Sequence, residues 1–355
     1  MNVKNASNNA VADDAINKGI QYLLSLIENR RWRGFPTLAG ESDVWVSGFV
    51  LAHICAICAR NEAIAEAQQF LIASQHSSGG WSYSSHVPPD ADSAAWCLMA
   101  LQTCEEFNAA ALEKATIFLW SHLVNGGFST YKKDSGILEF ISAPGPETIS
   151  GWTSAHPDVS MAAVLADIKN EKVTGILKWV CSMQKKGLIN SYWWRGPYYT
   201  TALFLRALSA LKLRLPGQQA KEIAESLFAG QSSNGGFVLC SSENDDSFTT
   251  ALALESFTHL SYPDLYQQIV NCENALLRLQ NKNGSWPGDF IMRLPAPFIS
   301  DPNQVSSWSN TGGGGNSYIE DRDGIFATAM ACYVLNSRRK KEMQDYGAEE
   351  VTIFK

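Results

Sequence analysis

The chain is short of charge. Of its 355 residues, 18% are Asp, Glu, Lys or Arg, against about 25% in an average soluble domain. Its 28 basic residues are outnumbered by 35 acidic ones, leaving a net charge of −7. No basic stripe is available to displace counterions, which argues against a nucleic-acid partner. The one dense basic run, Arg338-Arg339-Lys340-Lys341, reads as a helix end, where cations suit the dipole. Long apolar runs are also lacking: the longest, Gly48 to Ala59, is too short to cross a bilayer and contains His53. Met1 to Asp14 is polar, without the basic-then-apolar order of a secretory leader. Eight cysteines sit mostly inside apolar helical stretches, and Cys55-Ala-Ile-Cys58 has no second pair beside it. They read as reduced core residues, which implies the cytoplasm.

Aromatic residues, by contrast, are plentiful. The chain carries 11 Trp, 11 Tyr and 16 Phe, and 45% of it is hydrophobic. That is enough apolar surface for a large core with a ligand cavity inside it.

The sequence repeats itself. Phe70-Leu71 is followed by Gln75 and Gly79-Gly80-Trp81. Ser226-Leu227, Gln231 and Gly235-Gly236-Phe237 keep the same spacing, as do Ala275-Leu276, Gln280 and Gly284-Ser285-Trp286. A fourth copy, Phe118-Leu119 to Gly126-Gly127-Phe128, is one residue shorter and lacks the Gln. Before each loop runs an amphipathic helical stretch; after it comes one apolar on nearly all sides and rich in Ala, Ser and Thr. A helix apolar all round is buried on both faces. The pattern predicts six outer helices (13–28, 62–74, 108–123, 171–184, 217–230, 263–280) alternating with six inner ones. The inner set is 44–58, 91–101, 157–168, 198–211, 248–257 and 326–335. Strict alternation of this kind closes into an all-α (α/α)6 toroid over 13–338, between tails at 1–12 and 339–355. An open armadillo-like solenoid is the alternative, but its repeats would be more even and without long loops at 129–156 and 286–322.

The Phe70-Leu71-x3-Gln75-x3-Gly79-x-Trp81 segment resembles the Gln–Trp repeat of the squalene–hopene and oxidosqualene cyclases. Just behind it, Asp90-Ala91-Asp92-Ser93-Ala94 resembles the Asp-x-Asp-Asp-Thr signature of class II terpene cyclases, with Ser93 in place of the third Asp and Ala94 in place of Thr. The chain has room for one helical domain, so it is most similar to the monodomain meroterpenoid cyclases of the merosterolic-acid type. The resemblance implies a protonation-initiated cyclisation of a lipophilic prenylated aromatic substrate, without cofactor or metal. On it Asp92 is the proton donor and Asp90 its neighbour. It allows peripheral contact with a membrane and leaves the oligomeric state open.

Such chemistry asks for an acid kept protonated, dry and aimed at an alkene or epoxide. Two carboxyl groups inside apolar walls meet that need, because both cannot ionise cheaply. The start of the second inner helix, at Asp90 and Asp92, offers such a pair, although Asp before Ser-Ala-Ala is also a good N-cap. His156, before the next inner helix, is a candidate hydrogen-bonding partner for Asp92. Aromatic faces would then shelter the cations: Trp45, Phe49, Trp96, Tyr198, Tyr199, Phe248 and Phe326 near inner-helix starts, with Trp152, Trp193 and Trp194 in preceding loops. Arg195 is a candidate for gripping an anionic head group. The acidic runs Glu243–Asp246 and Glu320–Asp323 could hold Mg2+ and a diphosphate, or simply cap helices. Three rivals share the fold: a zinc prenyltransferase with Cys240, Asp245 and His259, a glycosidase pairing Asp92 with Asp246 or Asp323, and a non-catalytic lipid-binding toroid.

Overall fold

The computed structural model describes residues 3–58, 61–102, 104, 106–239, 243–310, 314–344 and 351–352. Its helices in chain order are α1 (Val3–Ser25), α2 (Val44–Ile54), α3 (Glu62–Ala73), α4 (Ala91–Leu101), α5 (Ala109–Trp120), α6 (Ile137–Phe140), α7 (Pro157–Ala166), α8 (Val173–Ser182), α9 (Tyr198–Ala210), α10 (Gly217–Gly230), α11 (Ser247–His259), α12 (Tyr266–Leu279) and α13 (Ile325–Gln344). The inner helices pack in a closed cycle: α2 on α4, α4 on α7, α7 on α9, α9 on α11, α11 on α13, and α13 back on α2. This is the (α/α)6 ring rather than an open solenoid. Small residues let the inner helices approach. A Cβ on Gly48 of α2 would lie 2.8 Å from Cys97 Sγ of α4.

The outer helices α1, α3, α5, α8, α10 and α12 bury one face only. In α3 that face is Ile64, Ala67 and Leu71, and in α12 it is Cys272, Ala275 and Leu276. Two expected tails are shorter than the sequence suggested. Helix α1 begins at Val3, and Ala12 is buried. Helix α13 continues past 338 to Gln344, and strand Val351–Thr352 pairs with Leu213–Arg214.

The repeat residues are fasteners. Trp32, Trp81 and Trp286 each donate an indole N–H at 2.7 Å to a carbonyl of the preceding outer helix, at Leu23, Leu71 and Leu276. The repeat glutamines bridge neighbours: Gln75 donates to Gly79 O and to Ala111 O of the next outer helix, Gln231 to Gly235 O and Gln268 O. Gln280 donates to Gly284 O and, at 2.8 Å, to Ala15 O of α1. The last outer helix is thereby tied to the first. Gly79 sits at φ +97 with Lys114 O packed where a Cβ would be, so the loop needs glycine on two counts.

Inner-helix hydroxyls answer the same loops. Ser47, Ser160, Thr201, Thr250 and Thr328 accept from the backbone N–H of Trp32, Phe128, Ile189, Phe237 and Trp286 at 2.7–3.0 Å. Each is the fourth residue of its helix. In α4 that place is Ala94.

Since the inner helices run parallel, their N-terminal ends gather at one mouth with the long loops. There Trp152 N–H donates to Pro297 O, and its indole to Pro295 O, at 3.1 Å each, stitching one long loop to the other. Further along the inner helices, Arg206 of α9 pairs with buried Glu255 of α11 and lies over the Tyr333 ring at 4.4 Å. His53 lies beside Arg206; burial and that charge push its pKa down to about 3, so it is neutral.

Candidate active site

The first staple leads directly to the acid pair. Trp81-Ser82 forms a two-residue strand against Pro89-Asp90, with Trp81 opposite Asp90, and α4 starts at Ala91. Asp90 is the N-cap. Its Oδ1 accepts the Ser93 amide at 2.8 Å and its Oδ2 the Ser93 hydroxyl at 2.6 Å. Burial nonetheless pushes its carboxyl up to about 6, against those hydrogen bonds. Asp92 sits in the first turn and lines a cavity. Its Oδ2 accepts the Trp45 indole N–H from α2 at 2.8 Å. Burial raises its pKa well above the usual carboxylate range, with the charges of Asp90 and Asp158 adding to the effect and the Trp45 bond opposing it. A helix N-terminus also favours the anion. Burial wins.

His156 is not the partner of Asp92. Its Nδ1 lies 2.9 Å from Thr130 Oγ1 and its Nε2 2.8 Å from Gly151 O. A carbonyl can only accept, so Nε2 carries the proton and Thr130 donates to Nδ1. Burial pushes the His156 pKa down to about 3, keeping the ring neutral. The same Thr130 oxygen accepts the Trp193 indole N–H at 2.7 Å. His156 therefore positions the cavity wall. Asp158, two residues on, accepts the amides of Tyr192 and Trp193 on Oδ2 at 3.0 and 2.7 Å.

The cavity holds about 470 Å3, inside the range of roughly 300–1,000 Å3 usual for small-molecule sites. Asp90, Asp92, Ser93, Trp45 and Trp194 form its acid end. Tyr83, Tyr131, Trp152, Trp193, Met292 and Leu294 form its walls, and Leu38, Ile137, Phe140, Ile141, Gly314 and Gly315 its mouth.

Of the aromatics expected to line it, Trp45, Trp152, Trp193 and Trp194 do. Phe49, Trp96, Tyr199, Phe248 and Phe326 are fully buried instead. They stack beneath the cavity as a floor: Phe49 on Phe326 at 3.7 Å, Trp194 on Tyr199 at 4.1 Å, and Trp194 on Phe248 at 5.3 Å. Adjacent helical positions differ by about 100°, so Tyr198 cannot share the face of Tyr199. Its ring meets Phe237 at 5.4 Å, between inner and outer layers. Arg195 does not reach the cavity: Nη1 donates to Phe290 O at 2.8 Å and the guanidinium lies 4.0 Å over Tyr318. Sequence reasoning missed Tyr83 and Tyr131. The usable signal was their place two and three residues after the staple aromatics Trp81 and Phe128.

The acidic runs act as caps. Asp246 Oδ1 accepts the Thr249 amide at 2.6 Å, and Asp321 accepts those of Phe326 and Ala327. Among the described residues no three His, Cys, Asp or Glu side chains are placed to hold a metal ion, and Cys240 lies outside them. Neither Asp246 nor Asp323 lines the cavity, so among the described residues no second carboxylate faces Asp92 across it. Among the described residues no helix is long and apolar enough to cross a membrane.

No family model matches the chain, and no curated protein does. Solved structures do. A protein from Actinoplanes is 25% identical over 92% of this chain and 99% of its own, with a TM-score of 0.83. A variant of the type II terpene cyclase MstE from Scytonema, in complex with geranylgeranyl dihydroxybenzoate, is 24% identical over 94% of this chain and 99% of its own, with a TM-score of 0.86. The ent-copalyl diphosphate synthase from Streptomyces platensis is 18% identical over 83% of this chain and 50% of its own, with a TM-score of 0.54. The chain has the fold of a type II terpene cyclase of its own size, and of half of a longer one.

Proposed function

We propose that the chain is a class II terpene cyclase that starts polyene cyclisation by protonating a terminal alkene or epoxide of a prenylated aromatic substrate. The observation that carries this reading is the Asp92 carboxyl, held protonated by burial and by Asp90 and opening onto an aromatic cavity. The fold shared with a cyclase solved around geranylgeranyl dihydroxybenzoate supports it.

Trp45 determines the direction of transfer. Oδ2 accepts its N–H, so the acidic proton sits on Oδ1 and is delivered from there. The carboxylate left behind keeps that hydrogen bond, now charge-assisted and stronger. The growing cation meets the faces of Trp45, Trp193, Trp194 and Trp152, which attract it without trapping it. Loss of a proton from the final cation completes an isomerisation with no net consumption of acid. Leu38 and Phe140 are exposed at the mouth, as is Phe298 beside it, and a lipophilic substrate passes over this rim from a membrane surface.

Asp92→Asn tests the assignment. Cyclisation of geranylgeranyl dihydroxybenzoate methyl ester, followed by mass spectrometry and chromatography, should fall at least about 1,000-fold with circular dichroism unchanged. Wild-type turnover by the folded variant would remove Asp92 from the reaction.

A further inference from the structure

The cavity has a property that reaches beyond its acid: no Lys, Arg or His is among the described residues that line it. Three cations lie close by in sequence and each is engaged elsewhere. Arg293 sits between Met292 and Leu294 on a short strand paired with Ser317–Ile319. Alternation along a strand sends neighbours to opposite faces. Met292 and Leu294 therefore face the cavity and Arg293 faces away, donating to Tyr192 O at 2.9 Å, to Ser191 O and to Asn303 Oδ1 at 3.1 Å. Arg195 is held by Phe290 O and Tyr318. Lys132, next to Tyr131, pairs with Asp134 at 3.7 Å. Thr311, Gly312 and Gly313, which precede the two lining glycines in sequence, bring no basic side chain.

Neutral donors are scarce as well. The indole N–H groups of Trp45, Trp193 and Trp152 go to Asp92, Thr130 and Pro295 O. Tyr83 donates to Phe35 O, Ser93 to Asp90, and Thr37 to Gly40 O. Tyr131 and Trp194 are the exceptions. Both line the cavity, and neither the Tyr131 hydroxyl nor the Trp194 indole N–H makes a hydrogen bond within the described residues. An ionised head group would thus lie against indole faces and acids with only a phenol and an indole to solvate it and no cation to pair with it. Burying an unpaired anion in such surroundings is strongly unfavourable.

Building on the cyclase reading, we infer that the site selects a prenyl substrate with an uncharged head group, a phenol, quinol, ester or alcohol whose oxygen accepts from Tyr131, and rejects carboxylates and diphosphates. Specificity then comes from an anion left without a counter-charge rather than from a dedicated contact.

Three matched probes test this: geranylgeranyl dihydroxybenzoate, its methyl ester, and the decarboxylated geranylgeranyl resorcinol. Kd from tryptophan quenching and kcat/KM are both measured at pH 7.5, where only the first is anionic. Ester and resorcinol should each bind at least about tenfold tighter than the acid. An acid bound equally well or better overturns the inference, whether or not it is turned over. A tenfold preference without turnover of any probe upholds it and sinks the cyclase reading instead; binding of none overturns both. Leu294→Arg places a cation on the cavity face and should shift the ester-to-acid Kd ratio at least about tenfold toward the acid. An unchanged ratio in the folded variant counts against the inference.

Discussion

The indole of Trp45 and the carboxyl of Asp92 meet at 2.8 Å across two adjacent inner helices. One bond thereby fixes both the orientation of the carboxyl and the tilt of the aromatic ring that, in the proposed reaction, faces the first cation. Trp45→Phe keeps the ring and removes the donor. A hydrogen bond to a charged group is worth about 1.5–3 kcal/mol, so kcat should fall by about one to two orders of magnitude. The bond favours the ionised form, so its loss also moves the basic limb of the pH–rate profile upward. Single-turnover rates across pH check both effects.

Asp90→Asn acts in the opposite sense on that limb. The amide retains an acceptor for Ser93 but removes the charge that helps raise Asp92, so the limb moves to lower pH and activity at neutral pH declines.

The same variant reads the stability linkage. Asp90 is pushed up to about 6 in the fold from a usual 3.8, so the folded chain holds this proton more tightly than the unfolded one. Its contribution is fully present below about pH 4 and is lost as pH rises through about 6. Asn has no proton to lose. The variant should therefore gain up to roughly 3 kcal/mol on wild type between pH 4 and 7. Buried neutral histidines such as His53 and His156 pull the other way, so the difference between the two denaturation curves is the measure.

Five inner helices carry a hydroxyl at their fourth position that accepts a loop N–H, and α4 carries Ala94 there. Thr250→Val should cost about 1–3 kcal/mol by leaving the Phe237 amide buried without its acceptor. Ala94→Ser should instead raise Tm, by supplying Trp81 with the acceptor its counterparts have. Calorimetry of the two variants checks the pair.

Arg206→Met leaves Glu255 without its ion-pair partner and 1% exposed. Removing one partner of a buried pair costs about 3–5 kcal/mol. Adding Glu255→Leu should recover most of that loss, which chemical denaturation of the single and double variants would read.

The ring was legible because its repeats write the fasteners into the sequence: Gln75, Gln231 and Gln280 keep one spacing, and each makes the same bridge. Asp92 was legible because a carboxyl at the head of an apolar helix is an anomaly that asks for a reason. The aromatic lining was not. Phe49, Trp96 and Phe326 have the composition of a cavity wall, but only packing decides whether a ring faces space or another ring. The role given to His156 fell to Trp45, since a loop carbonyl at Gly151 and a hydroxyl at Thr130 already occupied both its nitrogens. Neither neighbour is visible from spacing.

Gln280 reaching back to Ala15, and Cys332 to Ile16, has a bearing on how the molecule is made. Those contacts join stretches 265 and 316 residues apart, so the buried face of α1 waits, uncovered, until nearly all later helices have left the ribosome. Contacts this distant form late and leave sticky intermediates behind them. A chaperone that shields the first helix during synthesis would then govern yield more than any mutation at the cavity end.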